Sequence, residues 1–193
     1  MGYPATIEVE TPPTIANWRP LVQWILAIPH LIISWALDYV AGAVAVVSWF
    51  VILFTGKLPE GLANFQIMII RYTTRAQLYA GFLHDDYPPY DFTMSSRDSG
   101  TTPVRIDVEP ELEDRNRLTV GLRFLWIIPA ALYAILVAIV GIVAWFLSFF
   151  AVLFTGRWPE GLRSWVVKSV RVFTRLTAYG ALLTDEYPPF STD

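Results

Sequence analysis

Hydrophobic and polar positions divide the chain into two long apolar stretches, each followed by a segment with charges at helical spacing. From Leu21 to Phe54 the only acidic, basic or histidine side chains are Asp38 and His30, and from Phe124 to Phe154 there are none. A helix crosses about 30 Å of hydrocarbon with roughly 20 apolar residues, so both stretches exceed a minimal span. Two geometries follow: one long tilted helix kinked at Pro29 or Pro129, or a hairpin of two short helices turning near Gly42 or Gly141. The hairpin is preferred because it returns both ends to one face, where Arg19 and Lys57, or Arg123 and Arg157, flank the stretch.

Each stretch ends in Thr-Gly-(Lys/Arg)-x-Pro-Glu-Gly-Leu. Gly56 and Gly156 suit the left-handed residue that closes a helix, with Lys57 and Arg157 near its carbonyl end. Pro59 and Pro159 suit a first helical turn, and Glu60 and Glu160 complement its positive end. The segments Leu62 to Leu83 and Leu162 to Leu183 then predict amphipathic helices. Their polar stripes are Asn64, Arg71 and Arg75, and Ser164, Lys168, Arg171 and Arg175. A helix of this kind lies in the headgroup zone, where lipid phosphate is the counter-ion of its cations. The alternative partners are carboxylates such as Glu60, Asp85, Glu160 and Asp185. Each segment closes with Asp-(Asp/Glu)-Tyr-Pro-Pro-(Tyr/Phe). Pro88 and Pro89, or Pro188 and Pro189, stop the helix, while Tyr87 and Tyr187 offer interfacial anchors.

These parallels are one unit written twice at an offset of one hundred residues. Leu53 to Leu62 and Leu153 to Leu162 agree at eight of ten positions. PATIEVE from Pro4 matches PVRIDVE from Pro103, so each copy opens with a short alternating segment that predicts a strand, and the two strands can pair. Residues 1–94 form the first membrane repeat, 95–102 a polar linker and 103–193 the second repeat. The fold class is an all-α integral membrane protein of two tandem repeats. Each repeat has a short N-terminal β-strand, a long apolar helical stretch and an amphipathic interfacial helix.

Composition agrees with residence in a membrane. Of 193 residues, 54% are hydrophobic and 16% charged, with a mean hydropathy of +0.45. Disorder, a collagen-like chain and nucleic-acid binding are excluded. A net charge of −3 leaves partner selection to local clusters, and zero cysteines exclude disulfides and thiol chemistry. No Ser-His-Asp set, metal-ligand spacing or nucleotide loop stands out, so an enzyme and a bound cofactor are not expected. Asp38, whose counterpart is Ala138, is the candidate intramembrane residue, either as a carboxylate handling protons or cations or as an anchor at the hairpin apex. His30, opposite Ala130, is expected to be packed.

At these motifs the sequence resembles a family of bacterial membrane proteins built on one recurring domain of unknown function. The resemblance covers about residues 3–92 and 102–190; the first copy ends in Tyr90 where the pattern has phenylalanine. It implies a bacterial integral membrane protein and carries over no reaction; the inner membrane is the expected location. The expected function is a non-enzymatic, lipid-interacting scaffold or accessory subunit, with anionic lipids and a membrane-protein complex or homo-oligomer as partners. The alternative is a small transporter or channel with its site where the repeats meet. A third, weaker reading is an adaptor for soluble partners through the acidic run from Asp107 to Asp114.

Overall fold

The computed structural model describes residues 2–193. Among them the order is β1 (Ala5–Val9), α1 (Arg19–Leu26), α2 (Ile28–Thr55), α3 (Glu60–Ala80), β2 (Val104–Val108), α4 (Arg117–Gly121), α5 (Arg123–Thr155) and α6 (Glu160–Gly180). The two repeats are thus mostly helical, and two short strands join them.

The apolar stretches become α2 and α5, and neither turns back. Gly42 lies inside α2 and Gly141 inside α5, so the hairpin gives way to the long helix. A turn would strand backbone amides and carbonyls among apolar side chains, whereas a continuous helix pairs them internally. Pro29 sits in the first turn of α2, just after the break at Ala27, and Pro129 falls inside α5. Each helix buries a single seam. On α2 it runs through His30, Ser34, Ser48 and Ile52, and on α5 through Ala130, Ala134, Val137, Gly141 and Ala144. Their other faces, including Ile32, Trp35 and Val46 on α2 and Leu132, Ile139 and Phe146 on α5, are exposed. Both helices are long and apolar enough to cross a membrane, with mean hydropathy 2.1 and 2.8, yet only 11% and 28% of their most apolar windows are buried.

The predicted strands pair antiparallel, with Ala5 opposite Val108, Ile7 opposite Ile106 and Val9 opposite Val104. Since Ile7 and Ile106 are equivalent in the two copies, this register is symmetric about their pair. The contacts around it repeat the symmetry. Glu10 N donates to Pro103 O (2.8 Å) and Glu109 N to Pro4 O (2.9 Å). Ile15 N donates to Gly156 O (2.8 Å), and Arg115 N to Gly56 O (3.0 Å). A local two-fold axis therefore passes through the Ile7–Ile106 pair, normal to the ribbon, and relates the repeats.

Along this axis the elements stack in three layers. The inward ribbon face, including Ala5, Ile7, Val104 and Ile106, joins the core formed with α3 and α6. β1 packs on α6 and β2 on α3, while α2 packs along α3 and α5 along α6. α3 is consequently enclosed, with Ile67 to Ala76 all buried, which replaces the expected headgroup-zone helix with a middle layer. α6 is more exposed, although its buried residues still include Val166, Val172 and Ala178.

Candidate functional site

The cations of α3 meet a carboxylate that sequence reasoning left in a plain loop. Asp98, in the linker, has a side-chain exposure of 0%. Its two oxygens lie 2.7 and 2.8 Å from Arg75 Nη2, and Oδ2 is 3.2 Å from Arg71 Nε. Gly100 N and Ile106 N each donate to it at 3.0 Å. The arginines also hold the ribbon: Arg71 Nη2 donates to Ile106 O (3.1 Å) and Arg75 Nε to Val104 O (3.2 Å). Arg75 Nη1 reaches Asp91 Oδ2 at 3.3 Å. Burial works to raise the pKa of Asp98, but the Ile106 and Gly100 amides and then the Arg75 and Arg71 charges outweigh it, holding the group below its ordinary value. The ion-pair alternative therefore describes Arg71 and Arg75, with Asp98 and Asp91 in place of the acids the sequence nominated, and leaves neither guanidinium free for lipid phosphate. The available signal was Asp-Ser-Gly, a turn in which the carboxylate bonds nearby amides.

A second clamp is built in the other repeat from different residues. Asp185 Oδ1 is 2.7 Å from Arg115 Nη2 and 2.5 Å from Arg123 Nη2, and Oδ2 accepts from Asn116 N at 2.8 Å. Burial would raise the Asp185 pKa, yet Arg115, the Asn116 amide and Arg123 bring it down. Arg123 Nη1 also donates to Thr184 O (3.0 Å) while its guanidinium lies 3.8 Å from the Tyr179 ring centroid. Gln23, its counterpart, donates Nε2 to Tyr79 O (2.8 Å) and His84 O (2.6 Å). Sequence reasoning used Arg123 only as a flanking charge and passed over Gln23 and Arg115.

The remaining cations are more accessible. Lys57 forms an exposed pair with Glu113 at 3.0 Å, and the Arg157 side chain is exposed. Lys168 lies 5.2 Å from the Trp165 ring centroid. Arg171 and Arg175, half-buried, donate to Thr192 O (3.2 Å) and Ser191 O (3.3 Å), and Arg175 also to Asp193 O. The helix-end motif takes its expected form. Gly56 and Gly156 have φ of 72° and 66°, Glu60 and Glu160 open α3 and α6, and Pro59 and Pro159 move one place outward to the cap. Each Thr before the glycine donates to the carbonyl four residues back, Thr55 to Val51 and Thr155 to Ala151, both at 2.7 Å. The Tyr-Pro-Pro segments fold back onto the apolar helices. Tyr90 stacks on buried His30 with centroids 4.2 Å apart, and Tyr87 meets its edge at 4.8 Å, while Phe190 packs on Tyr133. His30 is packed as expected, its Nδ1 being 2.8 Å from Tyr72 Oη.

Between the repeats lies a cleft of about 570 Å³. Asp38 and Gly141 line it from α2 and α5, Thr73, Thr74 and Gln77 from α3, and Ser169 and Thr177 from α6. Without a hairpin there is no apex for Asp38 to anchor. It stands instead at this cleft, whose lining is mostly apolar through residues such as Ile142, Trp145 and Phe173.

Fold and site together define a duplicated helical unit with two long outward apolar helices, closed by buried arginine clamps. The chain belongs to the family described as Domain of unknown function (DUF4389), whose model matches residues 17–91 and 117–192. Both strands of the ribbon fall outside the matched segments. Comparison with curated proteins and with solved structures gives no match.

Proposed function

We propose that the protein is a non-enzymatic membrane protein that embeds α2 and α5 in lipid and acts as a scaffold or accessory subunit, in the inner membrane of a bacterial cell. One observation carries this reading: large apolar side chains occupy the outward faces of both helices along their whole length. Contiguous apolar surface on this scale is uncommon on a soluble monomer and finds its natural partner in hydrocarbon. Lys57 and Arg157, beside the C-terminal ends of these helices, supply exposed cations for anionic headgroups. Phosphatidylcholine vesicles should carry the protein upward in a density gradient, and added phosphatidylglycerol should increase the bound fraction. The double variant Val46→Glu, Ile139→Glu should lower binding by at least about tenfold, since each charge opposes burial by a few kcal/mol. Wild-type protein that stays in the aqueous fraction without detergent would end the proposal.

The second reading, a small transporter or channel, is favoured by the cleft, which both repeats line and where Asp38 stands. Ion flux in proteoliposomes that disappears with Asp38→Asn would promote it over the scaffold.

A further inference from the structure

Helix length and charge make α2 and α5 look like spanning segments, but the two-fold arrangement constrains how they can meet a bilayer. Arg115 touches Gly56, and the axis carries Arg115 onto Ile15. Ile15 and Gly56 therefore sit at about the same height along the axis, at opposite ends of the α1–α2 run. α2, with 28 residues, is about 42 Å long. The only chain that could lift its start away from that height is residues 15–18 and α1, which together reach about 25 Å if fully aligned with the axis. Even in that limit α2 leans more than about 50° from the axis. By symmetry so does α5, and the two helices run in opposing directions across it.

A spanning arrangement would place this axis in the plane of the bilayer, at mid-depth, because the two-fold exchanges helices that cross in opposite senses. The ribbon lies on the axis, so it too would sit at mid-depth. Its outer face carries Glu8 and Arg105, whose side chains are 75% and 49% exposed and whose closest approach is 3.8 Å. Loosely paired, lipid-facing charges and open strand edges at that depth are what the hydrocarbon core does not tolerate. With the axis along the membrane normal, the three layers fall into place. Water meets the ribbon, α3 and α6 lie beneath it, and the apolar outer faces of α2 and α5 meet lipid.

We infer that the protein is monotopic: α2 and α5 lie flat in one leaflet, antiparallel to each other, with the two-fold along the membrane normal and the ribbon in water. This rests on the proposed embedding in lipid and specifies its geometry. The partner surface is a single leaflet at its headgroup and upper acyl boundary, the depth at which in-plane helices settle. Ile32, Val46, Leu132 and Phe146, all exposed, form the buried sole. Both repeats enter from the same side, and no segment crosses.

The native chain has no cysteine, so single thiols report cleanly. Ile32→Cys, Val46→Cys, Leu132→Cys, Phe146→Cys and Glu8→Cys, labelled with a polarity-sensitive fluorophore, are reconstituted in phosphatidylcholine–phosphatidylglycerol vesicles. Lipids spin-labelled at shallow and deep acyl positions then quench each site according to depth. The expected result is one common depth for the four helix sites, within about 5 Å, and a water-exposed site at residue 8. Sites 32 and 46 are fourteen residues apart on α2, so a spanning helix would separate them by about 21 Å along the normal and draw residue 8 into hydrocarbon. That pattern overturns the inference while leaving lipid embedding intact. Protein that does not float with the vesicles at all overturns both.

Discussion

At Asp98 two guanidiniums and two backbone amides converge on one carboxylate, so its proton matters to the whole ribbon. Its folded pKa is depressed, as are those of Asp185 and Asp91. For such groups the stabilisation is complete above the unfolded value, about 3.9, and is lost as pH falls through the folded one. Burial lowers the pKa of His84, so its share of the stability already declines as pH falls below the unfolded value of about 6.5. Thermal midpoints of the reconstituted protein are therefore expected to slip modestly from pH 7 to about 5 and to drop steeply below about 4. Asp98→Asn should cost about 3–5 kcal/mol at neutral pH, because it leaves buried Arg71 without a charge partner and Arg75 with Asp91 alone, and should flatten the acid limb. An unchanged midpoint in that variant would remove the clamp from the account. Little of this was legible in the sequence beyond the Asp-Ser-Gly turn signal. Arg71 and Arg75 announced a need for counter-charge, but the partner lay more than twenty residues away in a segment whose composition reads as solvated linker.

Helix ends were the most readable elements, because the chemistry that closes α2 and opens α3 lies within a few consecutive residues. Gly56 and Gly156 needed only their local motif to be placed in the left-handed region, and Thr55 and Thr155 then complete the cap. What the motif could not tell is what presses against it. A Cβ on Gly156 would lie 2.8 Å from Asn17 Oδ1 and 3.1 Å from Ile15 O, both from the other repeat. Gly156→Ala is expected to cost about 1–3 kcal/mol through combined backbone strain and crowding, measured as a lower midpoint of chemical unfolding. A neutral result would place the loop free of its neighbour. The middle of each apolar stretch was harder to read. Gly141 looked like a break, yet a Cβ there would stand 2.3 Å from Ser169 Oγ, so the residue marks close approach of α5 to α6. A small residue in an apolar run reads the same in both roles, and only the packed partner distinguishes them.

Across the molecule, the repeat itself was plain from sequence and strand pairing was one open alternative, while the exchange between repeats left no sign. Each half completes the other: Trp49 Nε1 donates to Val120 O at 2.9 Å, and Asn17 Nδ2 to Leu153 O at 3.0 Å. Such contacts join residues far apart in sequence and leave no periodic trace. Fragments 1–102 and 103–193 produced separately are expected to lack a cooperative unfolding transition, since each exposes half a ribbon and an uncovered helix end. Co-expressed, they should purify together and recover it. A fragment that melts cooperatively alone would show that the crossings are dispensable. The same two-fold also explains a freedom that the chain has used. Were two identical polypeptides to associate in this manner, every residue at a crossing would have to serve in both settings at once, and Arg115 could not face what Ile15 faces, nor Asp38 what Ala138 faces. Covalent fusion lifts that obligation, letting each half drift toward its own specialised chemistry while their mutual embrace is preserved.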